Sequence, residues 1–345
     1  MLFSSAFAAL ALAASAVAAP TSPPLPTTDA PFSVSAAKLE AAITCPNGIK
    51  GAAGGVVLLV PGTGLTGEDS FPEGPFVQLL PTAGPGFDVC WVSPPNSQLG
   101  DAQVNAEYVA HAIMSLAPRS KNGKVKVVAH SQGGGLNVPW ATIFWPSARR
   151  KVASFVGLAP DFGGTTLLPP VGCAAETIAS LGQGCSAAIL QQDSTSNYLK
   201  AQRKIFPRAI VPTTAFFTRT DEIVIPQFGP NPSSALAGSV QFPLQDICGP
   251  LAIADHLSML ATPAAYSIVL NAFTSADGRA DLSKFNKADC FNFENSNINI
   301  NDVVPGLKFA ANLLGAVSTS GGVYVKREPP LKQYVCDAGA ATKCG

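Results

Sequence analysis

Three histidines and one serine set among glycines decide which chemistry is open to this chain of 345 residues. Ser131 lies in KVKVVAHSQGGG, residues 124–135, where an apolar, β-branched run passes straight into glycine. A strand, a sharp turn at the serine and then a helix is the setting of a nucleophile elbow. That turn strains the serine backbone, so the residues two positions to either side must be small. Gly133 meets the demand, and Ala129 departs from the usual glycine while remaining the next smallest residue. A serine hydroxyl at its ordinary pKa is a weak nucleophile and needs a base beside it.

His130 is the nearest histidine in sequence but a poor base. Side chains alternate along a strand, so its ring is predicted to point away from Ser131 and to sit beneath the turn. His111 falls on the polar face of an upstream helix. His256, in ADHL at 254–257, remains, and its place late in the chain fits the order serine, acid, histidine. Two aspartates follow strand-like runs between Ser131 and His256. Asp221 comes after the later run and is expected to orient the base, whereas Asp161 is expected to form a wall of the substrate pocket. Asp255 adjoins His256 too closely to orient it except through an awkward local bond.

The elements that must position these residues alternate in type. Residues 55–60, 125–129, 152–159 and 213–218 are short apolar runs flanked by glycine or proline, the signature of buried parallel strands. Between the first two lies a helix with Asp101 as N-cap and an apolar face of Val104, Tyr108, Val109, Ala112, Ile113 and Leu116. Glu107, His111 and Ser115 are predicted on its opposite, wet face. This alternation predicts a mostly parallel sheet covered by helices on both sides.

Hydrophobic residues make up 47% of the chain and charged residues 13%, enough core for one large domain. Lys plus Arg and Asp plus Glu are 22 each, which points away from nucleic acid as a partner. Arg149-Arg150-Lys151 and Lys326-Arg327 read as solvated surface. Residues 1–18 read as a signal peptide ending at an A-x-A site. Residues 19–44 are expected to be a Pro/Thr-rich pro-segment or linker, and 45–345 a single catalytic domain. No later run reaches the roughly 20 apolar residues of a transmembrane helix, so a secreted monomer is expected. Cys45, Cys90, Cys173, Cys185, Cys248, Cys290, Cys336 and Cys344 argue for disulfides in an oxidising compartment. Without a C-x-x-C pair the spacings of zinc sites are missing, so no metal site is expected.

Several stretches, in order, carry a family resemblance: LVPGTG at 59–64, CWVSPP at 90–95, QVNAEY at 103–108, SQGG at 131–134, APD at 159–161, VPTT at 211–214, TDEIV at 220–224, and CGPL at 248–251 followed by Asp255-His256. Together they resemble the lipase B family of yeasts and fungi (CALB-like lipases). The resemblance runs from about Cys45 to Cys290. It implies an α/β-hydrolase fold, no cofactor, and cleavage of carboxylic esters including triacylglycerols, with contact to a lipid–water interface. Ser131 then looks like the nucleophile, His256 the base and Asp221 the acid, with Thr63 and Gln132 forming the oxyanion hole. The family pairing implies Cys45–Cys90 and Cys248–Cys290, leaving Cys173–Cys185 and Cys336–Cys344 by remainder. Two departures stand out. The lid region, 162–194, looks longer and carries its own cysteine pair, and the portion from about 291 matches poorly. The same triad on other acyl groups, as polyester hydrolase, acyltransferase or amidase, is the alternative. A silent binding protein on this fold would need a broken triad position, and none is broken.

Overall fold

A computed structural model describes residues 22–292 and 323–345. Residues 1–18, expected to be a signal peptide, and most of the Asn-rich stretch after Phe291 lie outside the described residues. The strands are β1 (Ile43–Thr44), β2 (Val56–Val60), β3 (Asp88–Val92), β4 (Val125–His130), β5 (Val152–Leu158), β6 (Cys185–Ser186), β7 (Thr213–Phe217), β8 (Val240–Pro243) and β9 (Tyr324–Val325). Seven of them form one sheet in the order β1-β3-β2-β4-β5-β7-β8. Every pairing in it is parallel except β1 with β3.

Alternation along the central strands sorts side chains into two cores. Val56, Leu58, Val60, Val125, Val127 and Ala129 face a cluster closed by the helices Ala102–Leu116 and Val138–Phe144. Val57, Leu59, Val128, Val156, Leu158 and Phe216 face a second cluster closed by the helix Pro263–Thr274 and by Phe71, Phe76 and Leu80. Strands buried on both faces in this way read as continuous apolar runs, which is why they stood out in the sequence. The register aligns His130 with Leu158 and Leu158 with Phe216, so the C-terminal ends of β4, β5 and β7 share one edge. Loops leaving that edge carry the candidate site.

Glu107 corrects one expectation. Its side chain is 0% exposed, not on a wet face, because the N-terminal segment crosses it. Ser33 and Val34 donate backbone N–H bonds to its carboxylate at 2.6 and 3.0 Å, and Lys332 pairs with it at 2.8 Å. His111 and Ser115, on the same face, both bond to the Glu40 carboxylate at 2.8 Å. Residues 22–44 are thus a docked strap and not a free linker: Phe32 stacks on Trp145, the Ala30 N–H bonds to the Phe144 carbonyl, and Ala36–Ala41 is helical. Arg149 likewise differs from solvated surface, being half-buried where its guanidinium bonds to the Thr142, Ile143 and Pro26 carbonyls. Lys326 and Arg327 are exposed.

All eight cysteines pair as expected: Cys45–Cys90, Cys173–Cys185, Cys248–Cys290 and Cys336–Cys344. In the lid region the helix Leu168–Ala179 is stapled by Cys173 to Cys185 on β6, and β6 pairs with β9. Buried Glu176 reinforces the staple by accepting from both the N–H and the hydroxyl of Ser186. Val171, Ile178 and Leu181 of this region are exposed. Among the described residues no helix is long and apolar enough to cross a membrane.

Candidate active site

Ser131 follows β4 with φ of 51°, the left-handed strain that an elbow imposes on a residue with a side chain. A turn of π-helix, Gly133–Asn137, follows. Two of its glycines are required by close approach. A Cβ on Gly133 would stand 2.4 Å from the Pro61 carbonyl oxygen, and one on Gly135 would stand 2.2 Å from Asp161 Oδ1. The elbow is therefore wedged between the loop after β2 and the loop after β5.

His256 and Asp221 come together from distant loops, Nδ1 to Oδ2 at 2.8 Å, both side chains shut off from solvent. The other Asp221 oxygen accepts the Ile223 and Val224 N–H groups at 2.9 and 2.7 Å. Burial by itself pushes the Asp221 carboxyl up. The His256 charge, its hydrogen bond and the two N–H donors outweigh that and hold it below the usual carboxylate value. The same exchange runs the other way at His256. Burial pushes the imidazole down, but the Asp221 charge and hydrogen bond, with Glu222 and Asp161 behind them, raise it. Such a pair leaves Nε2 of His256 free to take a proton and stabilises the imidazolium that results. Among the described residues no hydrogen bond yet joins Ser131 to His256, as is common before a substrate tightens the site. Asp255 turns away and caps a short turn through the Ser258 N–H at 2.6 Å.

Thr63 and Gln132 are neighbours. The Thr63 hydroxyl lies 2.8 Å from Gln132 Oε1 and 3.0 Å from Oε1 of Gln192, a residue the sequence reading did not single out. One hydroxyl proton serves one of these acceptors at a time. Gln192 also donates to Gln132 Oε1 at 3.3 Å and to the Ala188 carbonyl at 3.1 Å. Gln98 is the second residue missed. Its amide grips the Pro61 and Gly62 carbonyls at 2.6 and 2.9 Å, and it ends a left-handed run of Asn96, Ser97 and Gln98. The only signal in sequence was a polar stretch between two apolar elements, which surface loops also show.

Asp161 lies in the same buried pocket of chain, fully enclosed, with no partner for either carboxylate oxygen. Burial pushes its carboxyl up to about 7; its own backbone N–H and the His256 charge oppose this, and the Asp221 charge adds to it. His130 is buried as expected, but it does not stand clear of His256. It shares the Val128 face of β4, and Ala254 and Met259, on either side of His256, pack on that face. The two imidazole rings are 4.7 Å apart.

Lipase B of Pseudozyma antarctica is 34% identical to this chain over 311 residues, covering 89% of this chain and 86% of that protein. The chain belongs to the lipase B family. The crystal structure of Aspergillus fumigatus lipase B superposes with a TM-score of 0.78 at 29% identity, over 90% of this chain and 74% of that one. No family model matches the sequence. This lipase B family member has the α/β-hydrolase fold, with a mostly parallel sheet flanked by helices.

Proposed function

We propose that this chain is a secreted serine hydrolase that cleaves carboxylic esters, triacylglycerols among them, through an acyl-enzyme. The reading rests above all on the buried Asp221–His256 pair at 2.8 Å, set on the same sheet edge as the strained Ser131 elbow. Ser131 attacks the ester carbonyl and gives its proton to His256. Asp221 holds the imidazole tautomer and stabilises its charge, as the low carboxyl and raised imidazole support. The carbonyl oxygen becomes an anion, met by the N–H groups of Gln132 and Thr63 and by the Thr63 hydroxyl, which must swing off its glutamine acceptor to do so. His256 then returns the proton to the leaving alcohol, and water repeats the sequence on the acyl-enzyme.

Membership of the lipase B family supports the ester and lipid substrate class. The apolar run at 1–18 and the disulfides support export to an oxidising compartment. The test is labelling with an alkyl fluorophosphonate and peptide mapping. The label is expected on Ser131 alone, with matching loss of hydrolysis across a chain-length series of esters. Label elsewhere, or an unlabelled protein that still hydrolyses esters, overturns the reading.

A further inference from the structure

His256 stands in a stretch without regular secondary structure, yet both of its main-chain polar groups are held by side chains from elsewhere. Its N–H donates to Glu222 Oε2 at 3.0 Å, and its carbonyl accepts from His130 Nε2 at 2.9 Å. A carbonyl only accepts, so the His130 proton is on Nε2, and Nδ1 carries the lone pair. That Nδ1 is buried without a partner. Burial first, and repulsion from His256 second, push His130 down to about 3, so it stays neutral while His256 cycles. Two nearby groups add to this environment: the His256 carbonyl bond and the Asp221 charge both favour the protonated ring, without prevailing.

Room for the ring exists because Gly62 has no side chain: a Cβ there would lie 2.9 Å from His130 Nδ1 and 3.0 Å from Ser131 Cβ. His130 is also bonded covalently to Ser131. One residue therefore touches the strand exit that leads to Thr63, adjoins the nucleophile, and grips the main chain of the base.

We propose that His130 is a positioning residue, which fixes the His256 main chain to the peptide neighbour of Ser131 so that nucleophile and base share one rigid frame. This rests on the triad reading above. Without the His130 bond the loop bearing His256 would be held at this residue by Glu222 and by Asp221 alone, and small displacements of a base are costly because the transfer needs near-contact geometry.

The test compares His130→Phe, which keeps a ring and removes the donor, with His130→Gln, whose amide nitrogen reaches the Nε2 position. Fluorophosphonate titration counts competent Ser131 sites, so kcat is expressed per titrated site and KM is read separately. His130→Phe is expected to lose roughly ten- to a hundredfold in kcat per site with little change in KM, and His130→Gln to recover most of it. A purely structural role would reduce the number of titratable sites and the Tm while leaving kcat per site intact, and that result overturns the proposal. So does a glutamine variant as slow as the phenylalanine one. If the phenylalanine variant does not fold, His130→Leu takes its place in the same comparison. A wild-type protein that takes no label at Ser131 instead refutes the serine-hydrolase reading, whatever the His130 variants do.

Discussion

Asp161 and Asp221 are the same type of residue, both buried, both just past the C-terminal ends of neighbouring parallel strands. Their electrostatic states are opposite. Asp221 has three polar partners and is held below the usual carboxylate value, whereas Asp161 has none and is pushed up to about 7. Burial is common to both, so burial does not choose the charge. Partners do. A carboxylate meant to stay ionised beside a base must arrive with its donors built in, and the turn at 221–224 supplies two of them from its own backbone.

The comparison breaks most sharply under amide substitution. Asp221→Asn keeps shape but supplies the wrong partner for His256 Nδ1–H, and kcat for ester hydrolysis is expected to fall by about 10⁴. Asp161→Asn, at a site already neutral below pH 7, is expected to keep most of the turnover. Equal losses in steady-state assays of the two variants would show that Asp161 also takes part in catalysis.

Thr63→Val asks whether partners govern the oxyanion side as well. The change deletes a donor and preserves the β-branched shape, and kcat is expected to drop about 10² to 10³ with KM little changed. Full turnover in the folded variant would mean that the hydroxyl serves the Gln132 and Gln192 acceptors only.

A third consequence concerns stability. The folded chain keeps the Asp161 proton up to about pH 7, while the unfolded chain releases it near 3.8. Folded Asp161 therefore binds more protons across that window, and stability falls as pH rises through it. Asp161→Asn removes the penalty, so its stability advantage over wild type should grow between about pH 4 and pH 7, reaching on the order of a few kcal/mol, and the gap in Tm should widen with it. A constant difference across pH would place the ionisation elsewhere.

The smallest effect is on the pH profile. Because His256 is raised above 6.5, the acid limb of kcat/KM is expected above that value, with activity lost as pH falls and the base protonates. Asp161 ionises only near pH 7 and its charge is the weakest of those that raise His256, so Asp161→Asn should move the limb to lower pH only slightly. A limb that stays in place would mean that the Asp161 charge does not reach the base.

Much of this was legible in the sequence, and the failures are instructive. The central strands were readable because both faces are buried and the runs are continuously apolar. β3 and β8 escaped: DVCWV begins on a carboxylate and carries a cysteine and a tryptophan, and β8 is an edge strand closed by Pro243. Local motifs and chain order singled out Ser131, Asp221 and His256 as candidates, and the fold pairs the last two and sets Ser131 on a strained turn. Gln98 and Gln192 were not, because a glutamine that grips a carbonyl across the fold has no local pattern. His130 was placed on the correct face by strand alternation, but alternation cannot say what covers a face. Glu107 failed for the same reason, since helical periodicity finds two faces and not the strap laid over one of them.

The Glu107–Lys332 pair sets an order of events during synthesis. Glu107 emerges from the ribosome 225 residues before Lys332, the cation that meets its enclosed carboxylate. Until then the sheet can assemble and the Ala102–Leu116 helix can dock, but burying that carboxylate without its cation would cost several kcal/mol. Completion of the native state thus waits for the segment around Lys332, and a chain cut short before it would carry this defect in an otherwise finished fold.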